Sequence, residues 1–160
     1  MESLMNEDEQ EKNPSRLSNQ MVRFFMHTAL AIGSWLGLML LGYALNPPGV
    51  SQLVILILSL TVPLVVGFAV TRFRPDDMAS VIWLVGLVWM LIVSLWILDM
   101  PTGPNACFQC DATEKLTRTF FSFPRPSGLI DNDGPFLGTW PAVALVGYSI
   151  GARFAFRRKG

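Results

Sequence analysis

Apolar residues form four long blocks along the chain, and almost all charged residues lie between the blocks. The blocks cover residues 24–45, 50–71, 78–98 and 136–154, and each is 19 to 22 residues long. About 20 helical residues span the roughly 30 Å of hydrocarbon in a bilayer. Lipid offers the backbone no hydrogen-bond partner, which favours helices. The pattern therefore predicts an all-α fold, a four-span transmembrane helical bundle.

Composition and charge agree with a lipid environment. The chain is 51% hydrophobic and 15% charged, whereas a soluble domain carries about 25% charged residues. The net charge is zero, so the total predicts no nucleic-acid partner. Arg153, at the end of the fourth block, is the only charged residue inside any block. Its long side chain can extend to the lipid headgroups.

The distribution of cations predicts the orientation. Of the 12 Lys and Arg residues, nine lie on the side of the two termini and three lie in the loop between the third and fourth blocks. Cytoplasmic segments of membrane proteins carry the excess of Lys and Arg. We therefore expect both termini in the cytoplasm. Nothing marks a eukaryotic organelle, so we place the chain in a bacterial inner membrane.

Two tails flank the membrane domain, which we assign to residues 23–155, and a long loop lies within that domain. Residues 1–22 are acidic and poor in apolar residues, which predicts a disordered cytoplasmic tail. Residues 156–160 form a short basic cytoplasmic tail. The segment 99–135 is far longer than an ordinary connection and predicts a substantial extracytoplasmic loop.

That loop contains one predicted helix. Asp111 is followed three residues later by Glu114, a pattern typical of a helix start. The spacing predicts a short helix over residues 112–121.

Small residues spaced four apart predict where the membrane helices pack. Such residues allow helix backbones to approach closely. We interpret them as contacts within the bundle, with association with another chain as the alternative. The predicted helix-packing residues are Ala29, Gly33 and Gly37 in the first block, Ser59 and Gly67 in the second, and Gly147, Gly151 and Ala155 in the fourth.

Cys107 and Cys110 are the only cysteines, and the predicted orientation places them outside the cytoplasm. Thiols in that compartment usually form disulfides. We expect a structural disulfide in the long loop, with thiol–disulfide exchange as the alternative. In its predicted spans and cytoplasmic ends the chain resembles quinone-linked membrane thiol oxidoreductases. The second cysteine pair through which such enzymes relay electrons is missing here.

The other polar positions predict neither a cofactor nor a metal site. His27 is the only histidine, so two histidine ligands to a haem are not available within the chain. We interpret His27 as a polar residue near the cytoplasmic interface and Tyr148 as the most central polar group of the spans. No nucleotide-binding or hydrolase motif occurs.

These features lead to three functional hypotheses. The first is a non-enzymatic accessory protein or complex subunit, which contacts lipid and either a membrane-protein partner or further copies of itself. The second is an extracytoplasmic thiol–disulfide redox protein that uses the cysteine pair. The third is a passive channel or carrier formed by oligomerisation.

Overall fold

The computed structural model describes residues 2–45, 52–99, 111–121 and 138–157. Within these ranges every element is helical, so the predicted all-α fold is confirmed. The elements are α1 (Glu2–Leu45), α2 (Gln52–Phe73), a 3-10 helix (Asp77–Ser80), α3 (Trp83–Asp99), α4 (Ala112–Phe121) and α5 (Thr139–Arg157).

The acidic segment over residues 1–22, predicted to be a disordered tail, overlaps α1. The structure continues α1 back to Glu2, so residues 2–22 are helical. An acidic composition argues against a buried core, but it does not argue against a helix. Glu, Leu, Met, Gln and Lys are good helix formers, and acidic residues near a helix N-terminus complement the positive end of its dipole.

Within the part of the chain that the structure describes, two helices are long and apolar enough to cross a membrane. They are the part of α1 over Leu17–Leu45 and the part of α2 over Leu53–Phe73. α3 is apolar but has only 17 residues. The count of four spans therefore remains a prediction, while the two long apolar helices are established.

α5 lies at the centre of the bundle. Eleven of its 19 residues are buried, and it packs against α1, α2, α3 and the 3-10 helix. The core around it includes Leu145, Tyr148 and Ala152 of α5 together with Ala31 of α1 and Ile82 at the start of α3. Most of α5 is thus shielded by protein, apart from an exposed side that includes Ile150, Arg153 and Phe154.

α2 and α5 make the closest helix contact. A Cβ atom added to Gly151 would overlap the backbone of Leu64, and one added to Gly147 would overlap the backbone of Leu60. Side chains larger than hydrogen at these positions would force the backbones apart.

The start of α3 is held by a serine of α5. The hydroxyl oxygen of Ser149 accepts a hydrogen bond from the backbone N–H of Trp83, at 2.9 Å. The first N–H groups of a helix have no partner within that helix. Ser149 therefore satisfies a buried donor and fixes α3 against the central helix.

The predicted loop helix is confirmed. α4 covers Ala112–Phe121, and the carboxylate of Asp111 accepts a hydrogen bond from the backbone N–H of Glu114 at 2.7 Å. Phe120 packs with Val93 and Ile97 of α3. The Thr139 hydroxyl donates to the carbonyl of Phe120 at 2.7 Å. These contacts attach α4 to α3 and to the start of α5.

Candidate functional site

One face of α1 packs into the bundle, and His27 lies on that face. His27, Ala31 and Trp35 are buried, and they are spaced four apart along the helix. Residues at this spacing lie on one side of an α-helix. His27 is 1% exposed, so its imidazole lies inside the protein.

The imidazole meets Tyr148 of the central helix. The Nδ1 atom of His27 is 2.8 Å from the Tyr148 hydroxyl oxygen, and the contact is buried. Tyr148 is itself fully buried. The two residues are 121 positions apart in the sequence, so the contact joins the first helix directly to the last.

Asp76 approaches the other side of the imidazole. Its Oδ2 atom lies 3.5 Å from the Nε2 atom of His27. A neighbouring carboxylate favours a proton on Nε2, which leaves Nδ1 to accept a hydrogen bond from the Tyr148 hydroxyl. Asp76, His27 and Tyr148 therefore form a polar chain that leads from the connection after α2 into the core.

Local sequence explains why Asp76 is placed there. It precedes the 3-10 helix, and its Oδ1 atom accepts a hydrogen bond from the backbone N–H of Met78 at 3.1 Å. This leaves Oδ2 to face His27 and also the Nε atom of Arg23, at 3.8 Å. Because the Arg23 side chain is 59% exposed, this ion pair is screened and contributes little to stability.

Asp76 also borders a groove that opens to the surface. The groove has a volume of about 280 Å³, and Gln20, Arg23, Asp76 and Phe156 are among the residues that line it. The polar chain thus has one end at an accessible surface and the other end inside the bundle.

The described ranges do not support a metal centre. No group of three or more His, Cys, Asp or Glu residues in them lies close enough to share an ion. His27 and Asp76 supply two ligands, fewer than the four that a structural zinc site uses.

The predicted helix-packing residues divide into two groups. Gly67, Gly147 and Gly151 lie in the α2–α5 contact, and Ser59 and Ala155 are buried as well.

Ala29, Gly33 and Gly37 lie on an exposed face of α1 instead. An added Cβ at Gly33 or Gly37 would meet nothing within 4 Å. The predicted redox pair, Cys107 and Cys110, lies outside the described residues.

Comparisons with known proteins add no assignment. The chain matches no family model, no curated protein and no solved structure.

Proposed function

We propose that the chain is a four-span protein of the bacterial inner membrane, with both termini in the cytoplasm, that serves as a non-enzymatic accessory protein or complex subunit. The observation that carries this proposal is the exposed apolar surface of α1 and α2. Only 17% of the residues in each of their most apolar windows are buried. The core helix of a soluble protein would be mostly buried, so this surface favours lipid as the surrounding medium.

The shorter α3 and the less apolar α5 are compatible with spanning. α3 and the 3-10 helix before it extend together over residues 77–99. α5 has 19 residues, or about 28 Å of helix. Because most of the small and polar residues of α5 are buried in the bundle, α5 needs less hydropathy than the outer helices.

The accessory role is supported by a difference between the helix faces that carry small residues: some are covered by another helix and one is open. The faces of α2 and α5 pack against each other with backbone contact, whereas the face of α1 at Gly33 and Gly37 is open. Helices associate in lipid through such faces. We propose that this face of α1 binds a helix of a partner protein or of a second copy.

The topology is tested with reporters fused after Gly160. We expect a fluorescent-protein fusion to be active in the cytoplasm and an alkaline-phosphatase fusion to be inactive. A second test labels a single cysteine. Cys107→Ser and Cys110→Ser remove the native thiols, and Arg74→Cys introduces one new thiol. We expect this thiol to react with a membrane-impermeant reagent only after the cells are opened. A C-terminal fusion that is active as a phosphatase would contradict the proposed orientation.

The partner is tested by photocrosslinking in native membranes. A photoreactive residue at Gly33 should give one adduct of defined mass, because the open face of α1 accepts it without disturbing the fold. The matched control is the same residue at Leu91, an exposed position on α3, where we expect no protein adduct. Absence of any adduct at Gly33, with a particle that migrates as a monomer in mild detergent, would contradict the accessory role.

A further inference from the structure

A second groove runs along α5, beside the 3-10 helix and the start of α3. Its larger part has a volume of about 510 Å³ and is lined by Ile150, Arg153 and Arg157, among others. A smaller part of about 210 Å³ is lined by Trp83, Val146, Ile150 and Arg153, among others. The two parts share Ile150 and Arg153, so they are adjacent, and together they are called the α3–α5 groove below.

The residues of α5 in the α3–α5 groove form a single stripe. Val146, Ile150, Arg153 and Arg157 are separated by four, three and four positions, which places them on one side of the helix. The stripe is apolar towards the middle of α5 and cationic at its C-terminal end. The groove therefore has an apolar part that matches the acyl chains of a lipid and a charged end that matches its headgroup.

The cations at this end are not neutralised by the fold. Arg153 and Arg157 are exposed, and neither takes part in an ion pair with any described part of the chain. Asp77 also lines the groove, so two guanidinium groups face one carboxylate. The end of the groove carries an excess of positive charge, and a guanidinium group is well shaped to bind a phosphate.

We propose that the α3–α5 groove binds one anionic phospholipid of the cytoplasmic leaflet. Arg153 and Arg157 bind the phosphate of its headgroup, and Trp83, Val146 and Ile150 contact an acyl chain. A tryptophan at the level of the headgroups is typical of a membrane interface. The assignment of the leaflet rests on the topology under Proposed function, whereas the groove itself does not depend on it.

Lipid selectivity of the full chain in nanodiscs tests the proposal. Spin-labelled phosphatidylglycerol and spin-labelled phosphatidylcholine are compared in separate samples by electron spin resonance. We expect the protein to favour phosphatidylglycerol about fivefold, the effect of roughly one net charge at the membrane surface. Arg153→Gln with Arg157→Gln should abolish this preference, with an unchanged helical circular dichroism spectrum.

The matched control is Arg72→Gln with Arg74→Gln, which removes the same charge from exposed positions at the C-terminal end of α2, outside the groove. The preference should survive in this variant. Equal loss in both variants would overturn the proposal, because it would show a general surface charge effect. Displacement of the lipid by inorganic phosphate at constant ionic strength would overturn it too, because it would identify a free-anion site.

This experiment separates the groove from the topology. Nanodiscs expose both leaflets, so a missing preference contradicts the lipid site even when the reporters place the C-terminus in the cytoplasm. An exterior C-terminus contradicts the proposed topology and leaves a measured lipid preference standing. A chain that does not enter nanodiscs at all contradicts the membrane assignment and the lipid site together.

Discussion

Gly151→Ala should lower the free energy of unfolding by about 3 kcal/mol, near the upper end for overpacking of a protein interior. The added methyl group would overlap the carbonyl oxygen of Leu64 and also approach the backbone N of Phe68 at 2.9 Å. A flexible side chain could turn away from such a contact, but backbone atoms cannot. α2 and α5 would have to separate, and the loss would extend along their whole contact.

Two other glycines provide matched controls for this substitution. At Gly86 the added Cβ would lie 3.2 Å from the carbonyl oxygen of Ala142, so Gly86→Ala should cost about 1 kcal/mol, the lower end for overpacking. At Gly33 it would meet nothing. Gly33→Ala should therefore be neutral, or stabilising by up to about 1 kcal/mol from the higher helix propensity of alanine.

The three variants are compared by unfolding in detergent micelles with increasing denaturant, followed by circular dichroism. The expected order of destabilisation is Gly151→Ala, then Gly86→Ala, then Gly33→Ala. Equal midpoints for Gly151→Ala and Gly33→Ala would show that α2 and α5 do not approach as closely as the structure describes.

The contrast between Gly151 and Gly33 also shows how far small-residue spacing can be interpreted. The spacing indicates that a helix face permits close approach, but it contains no information about which neighbour occupies that face. In α1 two faces carry residues four apart, one with Ala29, Gly33 and Gly37 and one with His27, Ala31 and Trp35. Positions two apart differ by about 200° around a helix, so these faces are nearly opposite. Only tertiary packing selects the second face for the bundle.

Local signals predicted their elements well because they depend on near neighbours. The helix over residues 112–121 follows from Asp111 and Glu114, and the structure gives the same limits. The end of α1 at Leu45 also matches the end of the first apolar block. The starts of α3 and α5 differ by several residues from the apolar blocks, because hydropathy does not mark where a helical hydrogen-bond pattern begins.

The polar chain was not predicted because its members come from three separate segments. In the sequence, nothing indicates that His27, Asp76 and Tyr148 would contact one another. Depth offered a signal for two of them: His27 and Asp76 lie near the cytoplasmic ends predicted for their segments, whereas Tyr148 lies nearer the middle of its span. Depth alone does not give rotation about the helix axis, and the contact depends on that rotation. A buried histidine on α1 therefore required the packed structure.

The same chain provides the second large effect, a coupling between His27 and Tyr148. Tyr148→Phe removes the hydroxyl partner of the buried Nδ1 atom. An unsatisfied buried group costs about 1 to 3 kcal/mol, so we expect a loss of about 2 kcal/mol. His27→Leu should cost a similar amount, because it leaves the Tyr148 hydroxyl buried without its partner. The double variant should cost less than the two single losses together, since neither group is then left unpaired.

A double-mutant cycle in the same unfolding assay measures this coupling, which we expect to be about 1 kcal/mol, within the range of hydrogen bonds between membrane helices. Tyr43→Phe is the matched control, because Tyr43 is on the same helix as His27 but 87% exposed, and it should have no effect. A coupling close to zero would mean that α1 is held by its apolar face alone. A clear coupling would establish that the buried polar contact fixes the rotation of α1, and with it the face that α1 presents to a partner.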